Sequence, residues 1–492
     1  MLITSIGCRT CGVRSRYQSG NVEEVEKYDN VKKHVIVMPP TKGMLVLVKK
    51  CNSSAVIVFA LLFSLFLLSQ IKLSSISKIF AEISTTSNQG PLIASHAKSI
   101  WASPISCDRS HDLYDICSIN GPTVLDPKAS TFYVMDPTNP IPLLEKVRPY
   151  PQKNSTFKII NRVKTVTLTS GPPCMVQHKA PALVFSVGGF TLNFFHTFID
   201  VFIPLFITLN SIAPDDPDFV FAIVDYQDWL INRYADLFRN FSKHPIVNLD
   251  NDTNAHCFPS ATVGLISHGF MNIDPNLIPN SKTAFHFHSL LYETYCHHHS
   301  SSPIPTTLKP KRPRLVIMSR SGGGGRVILN QSELKRAAEE EDFEVIEFEP
   351  SAKTSMSFAC ELISSSHAML GVHGAALTYS VFLRPGSVLV QVVGLGLEEV
   401  AELCFARVAK DMELEYMEYK IDVEESSLVD RYGKDDGMVK DHPKALDFQN
   451  DTAVEVYLYQ QNVILDLARF REYLKRAYEK GQKAKIAMLK ES

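Results

Sequence analysis

The chain lacks an excess of charge of either sign. Its 492 residues include 50 lysines and arginines against 52 aspartates and glutamates, which leaves a formal net charge of −2. No stretch rich in lysine or arginine is interleaved with aromatic residues, so the sequence gives no sign of a nucleic-acid partner. Internal repeats of the lengths typical of solenoids are also missing. A chain of this length in which 45% of the residues are hydrophobic can form more than one hydrophobic core.

Two common nucleotide-binding signatures are absent as well. The glycines at positions 322–325 are not followed by Gly-Lys-Ser/Thr, so they do not form a Walker loop. No Gly-x-Gly-x-x-Gly opens a strand–helix unit with an acidic residue about 20 positions later. The second absence disfavours an enzyme that uses NAD.

Metal-binding patterns are weak. Asp216-Pro-Asp218 precedes a predicted strand, and ligands bind at the other, carboxyl end of strands in a parallel sheet. Cys296-His-His-His299 could hold zinc but has no second ligand cluster to pair with. We therefore expect no metal and no cofactor in the reaction that this protein carries out.

One long apolar run stands near the N-terminus. Residues 55–71, AVIVFALLFSLFLLSQI, would span about 26 Å as a helix, which is at the short end for a membrane span. More lysines precede the run than follow it closely, and this bias keeps the N-terminus in the cytosol. The sequence predicts a cytosolic tail at 1–54, a transmembrane signal anchor at 55–71 and a stem at 72–105. Later cleavage of the anchor, or a start at Met44, remains open.

A lumenal location is also indicated by glycosylation patterns. Asn154, Asn240, Asn251 and Asn450 are followed by x-Ser/Thr, and we expect glycans at one or more of them. Asn330 shares the pattern, but it is excluded because its side chain is expected to cap a helix.

Seven cysteines follow the predicted anchor, and an oxidising lumen permits disulfides between them. The odd number leaves at least one cysteine outside a disulfide. Cys107 and Cys117 are the predicted bridge. Cys360 lies in an apolar helical pattern and is predicted to be a buried free thiol.

Beyond the stem, strands and helices alternate. Short apolar runs separated by helical patterns indicate parallel sheets of the α/β class. A proline-rich linker at 303–313 separates a domain at 106–302 from a second domain at 314–492, which ends in a helical stretch at 453–485. The prediction is two facing, doubly wound (Rossmann-like) domains with a cleft between them.

Two motifs in the second domain predict an anion site. Strand 368–372 runs into His373, Gly374 and Ala375, where a turn at a helix N-terminus presents backbone N–H groups. Strand 314–318 runs into Ser319 and Arg320, a glycine loop and Arg326. Two guanidinium groups around a flexible turn suit a diphosphate. For the first motif the alternative is a structural turn with a chance histidine. For the second motif it is a pair of solvated arginines.

These stretches resemble a family. GGFTLNFFHTFIDVFIPLF, RLVIMSRSGGGGRVILN and GVHGAALTYSVFLRPGSVLVQVV are similar to motifs of the plant branch of glycosyltransferase family 61, within it the xylan arabinosyl- and xylosyltransferases. The resemblance runs from about residue 107 to residue 475. Leu192 and Ala376 stand where the family usually has glycine, and four glycines lengthen a usually basic loop.

The resemblance implies a Golgi protein of type II topology, a GT-B fold, a UDP-sugar donor and inversion at the anomeric carbon. It places Arg320, Arg326 and His373 at the UDP phosphates and Glu398 or Glu399 at the ribose. The expected activity is transfer of arabinofuranose or xylose from the UDP-sugar onto xylan. Two alternatives stay open: transfer of xylose or N-acetylglucosamine to glycoprotein glycans, and an inactive UDP-sugar-binding paralogue, for which Leu192 is the main argument.

An inverting transfer needs a base for the acceptor hydroxyl. His196 and Asp200 are four residues apart in an apolar helical pattern and therefore share one helix face. A carboxylate beside an imidazole raises its basicity and sets its tautomer. We predict that this pair is catalytic; the alternative is a buried pair that only fixes the helix.

Overall fold

The structure is a computed structural model that describes residues 104–135, 144–153, 163–168, 172–215, 217–296, 312–321, 324–443, 446–448 and 450–491. The predicted tail, anchor and most of the stem lie outside the described residues, as do most of the linker and Asn154. Within the described part, the helix Phe194–Ile212 is long and apolar enough to cross a membrane, but 83% of its most apolar window is buried in the protein.

The strands of the described residues are, in chain order, β1 (Ile105–Asp108), β2 (Ile116–Ile119), β3 (Thr123–Asp126), β4 (Thr131–Met135), β5 (Leu144–Val147), β6 (Val163–Leu168), β7 (Val176–Gln177), β8 (Ala182–Ser186), β9 (Val220–Val224), β10 (Val247–Asn248), β11 (His256–Phe258), β12 (Ala261–Val263), β13 (Arg314–Met318), β14 (Glu344–Phe348), β15 (Ala368–Val372), β16 (Val388–Val393) and β17 (Glu415–Lys420).

The α-helices are α1 (Phe194–Ile212, with a π-helical turn at Phe198–Phe202), α2 (Asp228–Arg233), α3 (Ala235–Phe241), α4 (Ala284–Tyr295), α5 (Gln331–Glu340), α6 (Met356–Ser364), α7 (Glu398–Ala401, continued by the π-helical Glu402–Ala406 and by Arg407–Asp411), α8 (Leu428–Tyr432), α9 (Gly437–Lys440), α10 (Asp451–Val454, continued by the π-helical Glu455–Gln460) and α11 (Leu467–Glu491). Short 3-10 helices lie at Pro275–Leu277, Ala375–Phe382 and Val423–Glu425.

The C-terminal half contains one parallel sheet in the order β14-β13-β15-β16-β17. Its central strands are buried on both faces, which explains their continuous apolar sequences. From β13 the chain passes to β14, which pairs with one edge of β13, and then crosses to β15, which pairs with the other edge. The topological switch point, where such sheets bind ligands, therefore lies between the carboxyl ends of β13 and β15.

The N-terminal half contains two sheets instead of the single doubly wound sheet that was predicted. In the first, β12, β8, β9 and β10 are parallel, and β1 and β2 extend it antiparallel. The second, in the order β5-β6-β4-β3-β11-β7, mixes both directions. Four strands of the second sheet, β3 to β6, come from a proline-rich part of the chain, and proline disfavours both helix interiors and central strands. The α/β class is confirmed.

Three disulfides join the described cysteines. Cys107–Cys117 connects opposite residues of β1 and β2 and confirms the prediction, and Cys174–Cys257 is a second bridge. The predicted free thiol at Cys360 is wrong: its sulfur is bonded to Cys296. The prediction failed because α6 packs against α4, so two cysteines 64 residues apart come together. Cys404 is buried and belongs to none of these three bridges between described cysteines.

The predicted helical stretch at 453–485 is interrupted. After α10 the chain leaves the helical path, and Val463 forms β-bridges with Ile328 and Ser426 before α11 begins. This crossing places the carbonyl oxygen of Gln461 beside the backbone N–H of Arg326, which donates a hydrogen bond to it. The interruption therefore helps to hold the loop that follows β13.

Candidate active site

A cavity of about 460 Å³ opens at the switch point of the C-terminal sheet. Both halves of the protein line it. The N-terminal half contributes Leu192, Asn193, Phe194, Thr197, Trp229, Arg233 and Tyr234; the C-terminal half contributes Met318, Ser319, Arg320, Ser321, Arg326, Glu349, Pro350, Ser351, Ala352, Val372, Gly374, Ala375, Ala376, Tyr379 and Tyr459. We call it the switch-point cavity.

The structure brings together five residues predicted for donor binding. Ser319 and Arg320 follow β13, Gly374 and Ala375 follow β15, and Arg326 ends the glycine loop; all five line the cavity. The two loops meet because β13 and β15 are neighbours in the sheet. An anion in this cavity would therefore meet two guanidinium groups and the start of the 3-10 helix that Ala375 opens.

The two arginines converge on Gly374. A Cβ atom added there would lie 3.1 Å from Nη1 of Arg326 and 3.4 Å from Nη1 of Arg320. Arg326 is 5% exposed, and its Nη1 donates a hydrogen bond to the carbonyl oxygen of His373 at 3.3 Å. The glycine loop has little room beside it, because a Cβ on Gly325 would come within 2.5 Å of the carbonyl oxygen of Tyr459. Only glycine fits there, and its φ is +64°.

His373 lies behind the cavity wall and is 1% exposed. The amide Nε2 of Gln391 donates to Nδ1 of His373 at 2.9 Å, and the hydroxyl of Tyr416 donates to Oε1 of Gln391 at 2.9 Å. Because Nδ1 accepts, the proton of the neutral ring is on Nε2. Burial, and to a smaller extent Arg326, lower the pKa of His373 to about 3. The ring is therefore a neutral N–H donor, and its Nε2 has no hydrogen-bond partner among the described residues.

His196 and Asp200 form the predicted pair. Nδ1 of His196 lies 2.9 Å from Oδ2 of Asp200, and both side chains are 0% exposed. The hydroxyl of Tyr150 donates to the same carboxylate at 2.5 Å, and the amide of Gln152 donates at 2.6 Å. Asp200 lies in the π-helical turn of α1, a distortion that is common at functional sites.

The pair does not line the switch-point cavity, although Asn193 and Thr197 of the same region do. Phe190 stacks on the imidazole of His196 with ring centroids 4.6 Å apart. Because both side chains of the pair are fully buried, a sugar hydroxyl does not reach the imidazole in this conformation.

Glu398 and Glu399, predicted for the ribose, do not line the cavity. Glu398 begins α7 and lies 3.5 Å from Nε2 of His442, and Glu399 is exposed. An acidic residue that sequence reasoning missed is present instead. Glu349 follows the carboxyl end of β14 and accepts hydrogen bonds from the backbone N–H and the hydroxyl of Ser321, both at 2.6 Å. These two bonds lower the pKa of Glu349.

Sequence reasoning also missed an aromatic wall. Trp229 and Tyr234 line the cavity on the N-terminal side, and Phe194 stacks on Tyr379 of the C-terminal side at 4.2 Å between ring centroids. Leu192 is 72% exposed and borders the same wall. The available signal was the position of Trp229 in α2, the first helix after the carboxyl end of the parallel strand β9.

Asn330 occupies the position before α5, but its side chain does not cap the helix. Its amide donates to the carbonyl oxygen of Leu465 at 2.8 Å, and its Oδ1 accepts from the backbone N–H of Leu465 at 3.0 Å. The predicted cap is wrong because a segment 135 residues away competes for both polar atoms. The side chain is nevertheless engaged within the protein, and Asn330 is half-buried.

Asn240, Asn251 and Asn450 are exposed. The amide of Asn240 donates to the hydroxyl of Thr294 at 2.7 Å, and Oδ1 of Asn450 caps α10. Glycosylation at these three positions and at Asn154 stays a prediction.

Within the described ranges, no group of three or more histidine, cysteine, aspartate or glutamate side chains is placed to hold a metal ion. Cys296 belongs to a disulfide, and the carboxylate of Asp218 lies 2.6 Å from Nε2 of His244. Asp216 and the histidines at 297–299 are outside the described residues.

Comparison with known proteins identifies the family of this chain. The profile of the family Glycosyltransferase 61 matches residues 194–390, which include α1, Arg320, Arg326 and Gly374. Xylan glycosyltransferase MUCI21 of Arabidopsis thaliana is 32% identical over 429 residues, which cover 83% of this chain and 85% of that protein.

Two rice (Oryza sativa subsp. japonica) proteins are similarly related. Alpha-1,3-arabinosyltransferase XAT2 is 32% identical over 383 residues, or 76% of this chain and 64% of that protein. Beta-1,2-xylosyltransferase XAX1 is 33% identical over 380 residues, or 75% of this chain and 65% of that protein. This chain therefore matches slightly less than two thirds of each rice protein.

Proposed function

Because this chain belongs to glycosyltransferase family 61, we propose that it transfers a pentose, arabinofuranose or xylose, from a UDP-sugar onto xylan with inversion at the anomeric carbon. The observation that carries the proposal is the convergence of Arg320 and Arg326 on Gly374 at the switch point. Leaving-group charge on a diphosphate is stabilised by such preorganised cations and backbone N–H groups.

The diphosphate binds between Arg320, Arg326 and the backbone N–H groups that follow Gly374. Guanidinium groups make forked, charge-assisted hydrogen bonds to phosphate oxygens. His373 contributes the N–H of its neutral ring once the donor is bound. This assignment needs no metal ion, because the arginines supply the positive charge.

The ribose hydroxyls are bound by Glu349. In nucleotide-binding α/β sheets, an acidic residue at the end of the strand after the phosphate-binding turn accepts the hydrogen bonds of ribose hydroxyls. Glu349 stands at that position, since β14 follows the Arg320 loop and α5. Its Oε1 is engaged by Ser321, and in this proposal Oε2 accepts the hydrogen bonds of the ribose hydroxyls. Glu398 or Glu399, the earlier expectation, would require a different path of the nucleotide.

The N-terminal wall of the cavity binds the acceptor. Sugar rings pack their apolar faces on aromatic and other apolar side chains, and Trp229 and Leu192 offer such a surface on the N-terminal side of the cavity. His196, with Asp200 as its partner, removes the proton of the acceptor hydroxyl. Since the pair is fully buried, this step requires a rearrangement that uncovers the imidazole, and Phe190, which stacks on it, is the side chain that we propose to move.

The choice of sugar and acceptor follows from the relatives. The three relatives reported above are named a xylan glycosyltransferase, an arabinosyltransferase and a xylosyltransferase. Transfer of xylose or N-acetylglucosamine to a glycoprotein glycan is the second candidate. An inactive UDP-sugar-binding protein is a third, since Leu192 stands where glycine is usual in the family.

The proposal includes a GT-B-like arrangement of the two halves and a Golgi membrane location of type II topology. The switch-point cavity between the halves supports the GT-B-like arrangement. The disulfides in the folded part support a lumenal location of the catalytic part. The apolar run at 55–71 supplies the anchor.

The experiment is a donor and acceptor screen with the full chain in detergent. UDP-arabinofuranose, UDP-xylose and UDP-N-acetylglucosamine are each offered with a xylo-oligosaccharide and with a glycopeptide. We expect a pentose on the xylo-oligosaccharide. Transfer to the glycopeptide alone would reverse the order of the candidates, and UDP binding without any transfer would establish the inactive protein.

A further inference from the structure

A third arginine, Arg233, lines the switch-point cavity from the N-terminal half. It ends α2, one helical turn after Trp229, which lines the same cavity. Residues four apart share one face of a helix. The structure thus places a guanidinium group next to the aromatic wall, on the side of the cavity that we assign to the acceptor.

The guanidinium group of Arg233 contacts the C-terminal half. Its Nη1 donates a hydrogen bond to the carbonyl oxygen of Ala352, and its Nη2 lies 3.9 Å from Sδ of Met356. Within its own half, its Nε donates to the hydroxyl of Tyr234 at 3.3 Å. The side chain therefore connects α2 to the segment between β14 and α6, residues 349–355, which we call the β14–α6 loop.

Arg233 makes this contact without an acidic partner. Among the residues that the structure describes, no aspartate or glutamate oxygen lies within 4.0 Å of its side-chain nitrogens. Its bond to Ala352 joins a charged donor to a neutral carbonyl oxygen, and such bonds are stronger than those between two neutral groups. The cation therefore serves the contact between the two halves and not an ion pair within one of them.

The β14–α6 loop is a part of the proposed donor site that depends on such contacts. Glu349, which we assign to the ribose, begins the loop, and residues 351–353 are exposed. Exposed loops with few buried contacts open readily. From the C-terminal half, Ser321 donates two hydrogen bonds to Glu349. From the N-terminal half, Arg233 donates to Ala352.

We propose that Arg233 is a positioning residue for the donor, because it fixes the β14–α6 loop so that Glu349 meets the ribose. The inference rests on the proposed function, since it takes this loop as the nucleoside side of the UDP-sugar site. Arg233 acts through the loop and does not bind the donor itself. A loop that is already fixed in the binding conformation loses less entropy when the ligand binds.

The first test is limited proteolysis of the full chain in detergent, which needs no acceptor. Arg233→Gln removes the charge and shortens the side chain. Trypsin should then cut after Lys353, which is exposed in the loop, about tenfold faster than in the wild type. One charge-assisted hydrogen bond corresponds to roughly this factor in the population of the open loop. The rate is taken relative to cleavage at other sites, so that general unfolding is not counted.

Two further variants accompany this test. Arg233→Lys can still donate a hydrogen bond to the carbonyl oxygen of Ala352 and should reverse part of the increase. Arg239→Gln is the matched control, because Arg239 is an exposed arginine of α3 that pairs with Asp236 at 2.8 Å and does not line the cavity. It should be cut as the wild type is.

The second test shows which part of the donor depends on Arg233. Arg233→Gln should weaken UDP binding about three- to tenfold and leave the binding of inorganic pyrophosphate unchanged, because pyrophosphate lacks the ribose that the loop contacts. Calorimetric titration measures both affinities. KM for the donor should rise by the same factor while kcat holds, since Arg233 does not touch the reacting atoms.

Each contrary result has a distinct meaning. Unchanged cleavage after Lys353 in Arg233→Gln would overturn the proposal. An equal loss of affinity for UDP and pyrophosphate would also overturn it, because Arg233 would then be a ligand of the diphosphate. A wild type that transfers no pentose to xylo-oligosaccharide would instead refute the proposed function, while proteolysis and the two titrations would still decide the role of Arg233.

Discussion

Arg326 donates a hydrogen bond from Nη1 to the carbonyl oxygen of His373, 3.3 Å away, and so ties the loop after β13 to the turn after β15. The two residues are 47 positions apart in the sequence and meet because their strands are neighbours in the parallel sheet. The bond fixes the direction of a buried guanidinium group before any ligand is bound. Such preorganisation lowers the cost of binding an anion.

Arg320→Ala should weaken UDP binding roughly ten- to hundredfold, because a charge-assisted pair to a bound anion contributes about 1.5–3 kcal/mol. Arg336→Ala is the matched control, since Arg336 is an exposed arginine whose guanidinium lies 3.6 Å from Glu333. Calorimetric titration with UDP measures both variants. Unchanged affinity in a folded Arg320→Ala protein would remove Arg320 from the donor site.

Glu349→Gln should weaken UDP binding more than binding of inorganic pyrophosphate. The carboxylate accepts from ribose hydroxyls, which pyrophosphate lacks, so the loss should be about tenfold for UDP and absent for pyrophosphate. Glu399→Gln is the control, as Glu399 is exposed and outside the cavity. A loss in the control, with Glu349→Gln unaffected, would restore the earlier assignment to the start of α7.

Trp229→Ala should raise KM for the acceptor about three- to tenfold and leave the affinity for UDP unchanged. Taking the value for packing between aromatic rings, about 0.5–1.5 kcal/mol, as the guide, we expect a loss of this size, since Trp229 lines the N-terminal side of the cavity. Trp229→Phe keeps an aromatic face and should recover most of the loss. A loss of UDP affinity with an unchanged acceptor KM would place Trp229 at the nucleobase.

His196→Ala should lower kcat about 10²–10⁴-fold while UDP affinity holds. Both members of the pair are fully buried, so stability must be followed in the same samples. Tyr150→Phe removes one hydrogen bond to Asp200 and leaves the imidazole in place. It should shift the pH dependence of kcat/KM with a smaller loss in rate. Full activity per folded molecule in His196→Ala would show that the pair only fixes α1.

The protein should lose stability as the pH falls below 6.5. Burial lowers the pKa of His373 to about 3, and burial with nearby Lys485, Arg314 and Arg384 lowers that of His367 to about 4. The unfolded chain binds protons to these rings at higher pH than the folded chain, so acid favours unfolding. The stabilisation is complete above pH 6.5 and declines below it, by about 1.4 kcal/mol per pH unit for each ring.

Urea denaturation between pH 6.5 and pH 5 measures this decline, which should reach about 2 kcal/mol per histidine. His367→Gln should reduce the dependence of the free energy of unfolding on pH by the contribution of one imidazole ring. His111→Gln, which changes an exposed histidine, should leave it unaltered. If the free energy of unfolding depends on pH equally in the two variants, the prediction is wrong.

Peptide mapping without reduction should recover Cys296 linked to Cys360. Cys360→Ala should lower the free energy of unfolding by about 2–4 kcal/mol, because the bridge restricts the unfolded chain across 64 residues. Cys404 should react with an alkylating reagent after unfolding and without a reductant. Alkylation of Cys360 under the same conditions would disprove the bridge.

The sequence alone determined the parallel sheet and the loops that carry the predicted donor site. The strand predicted at 314–318 coincides with β13, and the strand predicted at 368–372 coincides with β15. Both are apolar runs that lead into a polar turn, Ser319-Arg320 after the first and His373-Gly374 after the second. Such a pattern depends on burial and turn chemistry within a few residues. Sequence neighbours carry that information, so it can be read without knowing the rest of the fold.

Only the tertiary structure decided which distant residues meet. Cys360 pairs with Cys296, Asn330 binds Leu465 instead of capping its helix, and Asp200 is held by Tyr150 and Gln152. Likewise, the acidic residue at the cavity is Glu349, which no periodic pattern marks. The disulfide and the hydrogen bonds of Asn330 and Asp200 join residues about 50 or more positions apart. The place of Glu349 depends on which strand ends border the switch point. Packing between elements sets such contacts, and the local spacing of residue types in one sequence does not contain them.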